Sequence, residues 1–454
     1  MVVTTVERRK QLLPAAVAAV AAPLGALAVV SPQWSIAALA GLAFVAAAVA
    51  SVAAGLALFT TLTFFALIPG FGTSFVSLVK IAGAVLLVAL GRKVARPSLV
   101  REHPLVAGLA VVLAAWAAAS ALWAPDVGGV RRDAVTLALS ILLLFVVYGA
   151  IRKPKHARWL VHAYVIGCVC SAVVGVATGA PAGEDTSRLS GGVGDPNELA
   201  LVLLPGLALA FFALPGARSA LERWLLAAAC GVMTIALFET GSRGGLIALG
   251  VSFAVALVYG GARRPHVLCA LLALAAVGAG YFAVAAPPEV RARVGHLAGG
   301  GGNGRTDLWS IARQVAADHP VHGIGIGNFE VVEPAYAART TNVSAVDVVV
   351  DEPHVVHNTY LELLAELGIV GLSIFVALVV TILRLARSAV RAAVRAGEAD
   401  LELLTRGLVV GLGGVLTASI FLSAEYEKQL WLLLGLAAAL ARLTRTTDLR
   451  FDDR

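Results

Sequence analysis

The stretch HNTYLELLAELGIVGLSIFVALVVTILRL, residues 357–385, joins a polar opening to a long apolar run. From residue 361 onward the run is long enough to cross a hydrocarbon core of roughly 30 Å, which predicts a membrane-spanning helix. Asn358, Glu362 and Glu366 follow one another at steps of four, so they share one helical face. Because a charged side chain inside a membrane segment needs a protein or water partner, this helix end is the first candidate for chemistry.

Composition extends this prediction to the rest of the chain. Of the 454 residues, 59% are hydrophobic and only 14% are charged, and the mean hydropathy is +0.87. Since one soluble core cannot bury so much apolar surface, we predict an all-α polytopic membrane protein. Further apolar windows of spanning length cover residues 12–30, 73–92, 105–123, 133–151, 158–180, 196–214, 222–238, 242–260, 266–286, 404–423 and 427–443.

The apolar block from Trp34 to Ile68 is too long for one span. We expect two short helices that break near Ser51, which gives about 12–14 transmembrane helices in total. With that split, the short loops rich in Arg and Lys all fall on one side, which predicts that both termini are cytoplasmic. The net charge of +7 therefore reflects topology and does not indicate a nucleic-acid partner.

This topology divides the chain into four segments. Residues 1–286 form an N-terminal transmembrane bundle, residues 287–356 a large external loop domain, residues 357–443 the C-terminal transmembrane helices and residues 444–454 a cytoplasmic tail. The loop domain is rich in Gly, His, Arg and acidic residues, and it is too polar to span a membrane.

Two local patterns occur in the external loop domain. The sequence GRTDLWSIARQVAADHP, residues 304–320, predicts an amphipathic helix that is capped by Thr306 or Asp307 and ends before Pro320. The next run, GIGIGNF from residue 323 to residue 329, holds too many glycines for a stable helix and predicts a tight turn or a close backbone approach. A phosphate-binding loop is an alternative for this run, although the GxGxG pattern alone supports it weakly.

Three arginines lie in glycine-rich external segments near predicted helix starts: Arg188, Arg243 and Arg305. Each could be a solvated loop charge. Their shared side of the membrane favours another interpretation, because guanidinium groups match phosphate oxygens and helix N-termini carry partial positive charge. Together they predict a site for a diphosphate at the outer membrane surface.

Four motifs follow one another in this part of the chain: GSRGG around Arg243, GRTDLW around Arg305, HPVHGIGIGNF over residues 319–329, and HNTYLELLAELGIVG over residues 357–371. In this order they resemble the bacterial O-antigen ligase and O-antigen polymerase superfamily. The last motif matches the family pattern of His, then Asn, Ser or Gln, nine residues, Gly, two residues and Gly, here His357, Asn358, Gly368 and Gly371. The resemblance covers the chain from about residue 75, and its specific signal lies between residues 188 and 371.

The resemblance implies a fold and an activity. Members of the superfamily are metal-independent glycosyltransferases of the GT-C type that move a glycan from undecaprenyl diphosphate to an acceptor on the outer side of the bacterial cytoplasmic membrane. Carried over to this chain, Arg243 and Arg305 hold the diphosphate, and His357 acts near the acceptor hydroxyl or the leaving phosphate. If His357 is a base with an ordinary pKa of roughly 6.5, the transfer activity should fall as the pH drops through that value. The alternative for His357 and Asn358 is a helix cap beside a satisfied histidine.

Other polar residues receive weaker predictions. Asp195, Asn197 and Glu198 either bind sugar hydroxyls or cap the helix that starts at residue 196, and capping is favoured. Glu362 and Glu366 are expected to form hydrogen bonds within the bundle or to orient an arginine, and the alternative is that one of them acts directly as a general base. The histidines of the external loop match no closed zinc site, so we predict no metal and no cofactor. The residues expected to contact substrate are Arg188, Asn197, Asn328, Asn358 and Glu362.

The resemblance implies a glycosyltransferase that acts on a lipid-linked glycan donor and a glycan or glycolipid acceptor. Two other classes of protein are alternatives. A transporter or flippase of lipid-linked oligosaccharides should show internal repeats and charged or broken helices near the bilayer midplane, and the sequence shows neither clearly. A structural scaffold would leave the external arginines and the two glutamates without a purpose. Ligase and polymerase share these motifs, so the sequence does not separate them.

Overall fold

A computed structural model describes residues 32–65, 74–93, 98–178, 188–286, 291, 304–339 and 354–452. Within these ranges the regular structure is helical and no strand occurs, which confirms the predicted all-α fold for this part of the chain. In chain order the α-helices are α1 (Pro32–Ala50), α2 (Val52–Leu62), α3 (Ser74–Lys93), α4 (Ser98–Glu102), α5 (Pro104–Ala119), α6 (Val127–Ala150), α7 (Pro154–Thr178), α8 (Pro196–Ala213), α9 (Ala220–Glu239), α10 (Arg243–Tyr259), α11 (Arg264–Gly280), α12 (Arg305–Asp318), α13 (Phe329–Ala337), α14 (Thr359–Arg395), α15 (Ala399–Ala418) and α16 (Lys428–Asp452).

Eight of the helices in the described part of the chain are long and apolar enough to cross a membrane. They lie at α5 to α9, α11, α14 and α15, and shorter apolar helices lie at α1, α2, α3 and α10. The predicted polytopic membrane fold is therefore confirmed. The predicted span over residues 12–30 lies outside the described residues, so the total of about 12–14 helices stays a prediction.

The predicted break in the first apolar block is also confirmed. Between α1 and α2, Ser51 adopts an extended conformation, and its hydroxyl accepts a hydrogen bond from the Ala54 N–H at 3.4 Å. Such a cap satisfies one of the N–H groups that the start of a helix leaves without a partner. The two helices then pack closely, because a Cβ added to Gly55 would lie 2.7 Å from Ala48.

The helix α14 contains a break that its apolar pattern does not predict. Its first part loses helical geometry at Gly368, where φ is 66° and ψ is −172°. Only glycine suits this position, since a Cβ would lie 2.2 Å from the carbonyl oxygen of Val321. The N–H of Ile369, freed by the break, donates to the Pro320 carbonyl at 2.9 Å. The two turns before Gly368 therefore form a separate segment, fixed against Pro320 and Val321.

The helix α15 packs against both α8 and α16. On α15, Gly411 allows close approach of α8, because an added Cβ would lie 2.8 Å from the Cα of Pro205. On α16, Trp431 is fully buried, and its indole N–H donates to the Glu425 carbonyl at 2.8 Å. These contacts give the site a rigid base.

Successive spans reverse direction, so helix starts gather at the two ends of the bundle. At one end Arg158 pairs with Glu222 at 2.7 Å and with Asp400 at 3.3 Å, which joins the starts of α7, α9 and α15. At the opposite end the Thr359 N–H donates to the Ser419 carbonyl at 3.0 Å, which joins the start of α14 to the end of α15. This second end also holds the starts of α8 and α10, and we call it the site end.

Candidate functional site

Arg188 joins the start of α8 to the start of α10. Its guanidinium donates from Nε to the Thr240 carbonyl at 2.8 Å and from Nη2 to Asn197 Oδ1 at 3.1 Å. The Ser242 hydroxyl donates to the same Asn197 oxygen at 2.9 Å. The structure thus brings two predicted site residues, Arg188 and Asn197, to the place where Arg243 begins α10.

Asp195 caps α8, as the favoured prediction for this group requires. Its Oδ1 accepts the N–H of Asn197 at 2.7 Å and the N–H of Glu198 at 2.9 Å. Its negative charge acts to raise the pKa of His357, against the larger effect of burial. The start of α8 therefore lies near the start of α14.

Arg243 is the first residue of α10. The Ser242 hydroxyl caps this helix by accepting the Gly245 N–H at 3.2 Å. The Arg243 side chain is half-buried, and no residue in the described ranges forms a hydrogen bond or an ion pair with it. Partial burial removes water from a guanidinium that keeps all five of its donors, and this situation favours an anionic ligand.

Arg305 is the first residue of α12, and the helix begins differently from the prediction. The residue before it, Gly304, occupies the cap position with φ at 77°, and no side chain caps the helix. The prediction of a cap at Thr306 or Asp307 is therefore wrong. Glycine reaches the left-handed region without strain, so the helix starts early enough to put Arg305 in its first turn. The predicted end before Pro320 is confirmed, since α12 stops at residue 318.

His357 precedes α14 and lies within reach of two opposite charges. Burial lowers its pKa to about 4, with Arg305 acting in the same direction and Asp195 acting against both. The imidazole is therefore neutral at pH 7. Its Nδ1 is buried and has no hydrogen-bond partner among the described residues. Its φ of 53° is unusual for a residue with a side chain and stores strain of about 1–3 kcal/mol, which the surrounding contacts must offset.

Asn358 and Thr359 fix the first turn of α14. The Asn358 side chain accepts the N–H groups of Tyr360 and Leu361, both at 3.1 Å, so Asn358 is a helix cap. The Thr359 hydroxyl donates to the Leu422 carbonyl at 2.9 Å. The capping alternative thus holds for Asn358, whereas the imidazole Nδ1 of His357 has no hydrogen-bond partner among the described residues.

Glu362 and Glu366 are both buried and bonded inside the protein. Glu362 accepts a hydrogen bond from the Ser423 hydroxyl. The Glu366 carboxylate accepts the N–H of Gly327 at 2.8 Å and the N–H of Phe329 at 3.0 Å. The turn predicted for the GIGIGNF run is confirmed, but Glu366 already occupies N–H donors that a phosphate would need. The run is therefore a cradle for a carboxylate.

Asn328 ties the same run to α6. Its Oδ1 accepts the Asp126 N–H at 2.7 Å, and its Nδ2 donates to the Asp126 carbonyl at 3.1 Å. The side chain is fully buried. These bonds anchor the loop, and the predicted contact of Asn328 with substrate stays a prediction.

The histidines of the external chain do not converge. The rings of His319 and His322 are 6.4 Å apart, and Nδ1 of His322 lies 2.8 Å from the Gly323 carbonyl. Among the residues that the structure describes, no group of three or more His, Cys, Asp or Glu side chains is arranged to hold a metal ion.

We expect Glu366→Gln to lower the free energy of unfolding by about 1–3 kcal/mol, because an amide offers one acceptor oxygen and turns its NH2 group toward a backbone N–H. Thermal unfolding in detergent measures the loss. The matched control is Glu330→Gln, a half-buried glutamate in α13 close to the same loop. An equal loss in both variants would show that the cradle adds nothing to stability.

Sequence reasoning missed Phe421, which lies in the chain between α15 and α16. A Cβ added to Gly244 would lie 2.8 Å from the Cβ of Phe421, so this phenylalanine packs on the start of α10. Its ring centroid lies 6.3 Å from that of Trp309 on α12. No motif marks Phe421, and the only available signal was the glycine after Arg243.

Part of the chain matches a model of a known protein family. Residues 228–376 match the family model for O-antigen ligase, and this range contains Arg243, Arg305 and His357 together with the break at Gly368. The match confirms the resemblance to the O-antigen ligase and polymerase superfamily. No curated protein matches the chain.

The match also supports a general type of function. It supports a function of the O-antigen ligase or polymerase type, which uses a lipid-linked glycan and an acceptor in a membrane. With the apolar helices, it points to the inner membrane of a bacterium.

Proposed function

We propose that this protein transfers a glycan from undecaprenyl diphosphate to an acceptor hydroxyl on the outer face of the cytoplasmic membrane, without a metal. The observation that carries the proposal is that His357 is close enough to Arg305 to interact with its charge, at the site end where Arg243 also lies. Ligation to a different acceptor and polymerisation of repeat units both fit this arrangement.

The arginines supply the charge that the leaving group needs. When the bond between the anomeric carbon and the diphosphate breaks, negative charge develops on the leaving oxygen. Arg243 and Arg305 stand at helix starts, where the partial positive charge of the helix adds to that of the guanidinium. Two fixed guanidinium groups can stabilise this charge in the role that a metal fills in other enzymes.

His357 acts on the acceptor. In its neutral form it can take the proton from the attacking hydroxyl as the oxygen bonds to the anomeric carbon and the diphosphate leaves. The low pKa keeps the base unprotonated at neutral pH. The bound diphosphate can then receive the proton.

The donor's isoprenoid chain has a matching environment below the arginines. The helices α8 and α10, whose starts are joined by Arg188, also line an apolar cavity of about 350 Å³ together with α9, α11 and α15. Leu207, Phe211 and Leu274 are among its walls. Such a cavity accepts part of an apolar chain whose diphosphate remains at the site end.

The remaining candidates take different roles. Arg188, Asn197 and Asn358 lie at the site end, and we assign them to the surface that meets the diphosphate and its glycan. Glu362 and Asn328 are bonded inside the protein, which favours supporting the site over direct contact.

The direct test incubates purified protein with undecaprenyl-diphosphate-linked glycan and candidate acceptors, with and without EDTA. We expect an acceptor or glycan product to gain mass, equally in both conditions. A lengthened lipid-linked glycan indicates polymerase activity, and a glycosylated foreign acceptor indicates ligase activity. No mass gain with any acceptor, or a gain that EDTA abolishes, would contradict the proposal.

A labelling experiment tests the orientation. In a background without the four native cysteines, a membrane-impermeant maleimide should modify the Val331→Cys variant in intact cells and spare the Arg391→Cys variant. Val331 is 52% exposed on α13, and Arg391 is exposed on the far part of α14. Modification of Arg391→Cys and protection of Val331→Cys would show that the site end faces the cytoplasm.

The environment of His357 revises the expected pH dependence. A pKa of about 4 means that kcat/KM, which reports the free enzyme, should stay level through pH 6.5 and fall only as the pH approaches 4. A bound diphosphate adds negative charge and favours the imidazolium, so the acid limb of kcat should lie at a higher pH than that of kcat/KM. Rate profiles from pH 4 to 8 measure both.

The control for this experiment is His357→Gln. If that variant keeps an acid limb at the same pH, the limb belongs to a group other than His357. A wild-type limb of kcat/KM near 6.5 that vanishes in His357→Gln would show that the imidazole is solvated, in contradiction to its burial.

A further inference from the structure

An aromatic pair, Trp309 with Phe421, lies at the site end and takes no part in the chemistry described above. The two ring centroids are 6.3 Å apart and the ring planes are inclined by 35°. Both side chains are half-buried, so part of each remains exposed. Trp309 also packs on the small apolar core that α12 forms with its neighbours.

The pair links the starts of the two helices that carry the arginines assigned to the diphosphate. Trp309 follows Arg305 by four residues, and residues at this spacing share one face of a helix. Phe421 packs on Gly244, the residue after Arg243, so closely that a Cβ on the glycine would lie 2.8 Å from it. One ring therefore lies at the start of each helix that carries one of these arginines.

We propose that Trp309 and Phe421 form the surface against which the first sugar of the donor packs. The inference rests on the proposed function. In a lipid diphosphate donor the first sugar is bonded directly to a diphosphate oxygen, so a diphosphate held by Arg243 and Arg305 brings that sugar next to the pair. A sugar ring has C–H groups on its faces and hydroxyls at its rim, and an aromatic surface matches the faces while the polar groups around it match the rim.

A simpler role for the pair is an interfacial anchor, because Trp and other aromatic residues collect where a membrane meets water. The two roles differ in what they predict for ligands. An anchor or a packing residue affects all ligands of the site alike, whereas a sugar platform affects only ligands that carry the sugar.

The experiment compares two ligands in the full-length protein. The KM is measured for undecaprenyl-diphosphate-linked glycan, and the inhibition constant is measured for undecaprenyl diphosphate without a sugar. In Trp309→Leu, which keeps apolar volume and removes the ring, we expect the donor KM to rise about 3- to 10-fold, from the usual strength of one aromatic contact. The inhibition constant should stay within about twofold of wild type, and Trp309→Phe should restore most of the donor KM, because one ring remains.

The matched control is Trp123→Leu. Trp123 is also a half-buried tryptophan, its ring pairs with that of His322 at 5.2 Å, and its indole nitrogen, like that of Trp309, is buried without a partner among the described residues. It should leave both constants unchanged.

An equal rise in both constants for Trp309→Leu, or no rise in either, would overturn the assignment. If Trp309→Leu folds poorly, Phe421→Leu gives the same comparison from the other ring. Failure of the proposed function looks different, since wild-type protein would then neither transfer the glycan nor be inhibited by undecaprenyl diphosphate.

Discussion

Replacing His357 with Ala is expected to reduce kcat by about 10²- to 10⁴-fold, the usual contribution of a positioned acid or base. The folded protein should be nearly as stable as wild type, because the half-buried imidazole leaves Nδ1 without a partner in the described part of the chain. Purified variant and wild-type protein are compared by single-turnover transfer from the lipid-linked donor, with thermal unfolding as the measure of stability.

The His357→Gln variant separates the two possible roles of the side chain. An amide can donate a hydrogen bond to a phosphate, but it cannot accept a proton at neutral pH. Substantial activity in this variant would assign His357 to positioning the diphosphate, whereas a loss as large as that of Ala supports a general base. His354→Gln is the matched control, since His354 is also half-buried with an unpartnered Nδ1 among the described residues. Full activity in His357→Ala would remove the central residue from the proposed mechanism.

Local patterns in the sequence predicted most of the fold. The break at Ser51 follows from the length of one apolar block, and the end of α12 follows from Pro320. The cap at Asn358 is equally local, because a short polar side chain precedes an apolar helix. Each of these features depends on residues within a few positions of one another.

Features that depend on distant contacts were not predictable. The break at Gly368 requires the carbonyl of Val321 to approach the helix, and the apolar pattern of α14 does not predict this contact. The same holds for Glu366, whose partners in the GIGIGNF run precede it by more than thirty residues. The run had the composition of an anion-binding loop, and its N–H groups do bind a carboxyl group, but that group is a side chain of the protein itself.

The candidate site was predicted by residue type and assembled by topology. Sequence alone predicted three arginines and a histidine on one side of the membrane. The reversal of successive spans brings the helix starts near these residues to one end of the bundle. The sequence did not predict how Arg305 and Asp195 together influence the pKa of His357, because this influence depends on how three helix starts meet. That arrangement changes the expected pH dependence and makes the arginine experiments more informative.

Replacing either Arg243 or Arg305 with Lys should lower kcat by about 10²- to 10³-fold, because an ammonium keeps the charge but loses the planar fork that binds two phosphate oxygens. Transfer assays on purified variants measure the loss. Arg132→Lys is the matched control, since Arg132 lies at the start of α6 and is exposed and paired with Asp133 at 2.8 Å. Near-normal activity in Arg243→Lys or Arg305→Lys would reduce that residue to a solvated charge.

A second substitution at Arg305 tests its link to His357. Arg305 lowers the pKa of His357, so Arg305→Gln should raise that pKa toward its ordinary value, whereas Arg305→Lys should leave it low because the positive charge remains. The acid limb of kcat/KM should therefore move to higher pH in Arg305→Gln and stay in place in Arg305→Lys, even though both variants are slow. A limb that stays in place in Arg305→Gln would mean that burial alone sets the pKa of His357, and that the two side chains act independently on the substrate.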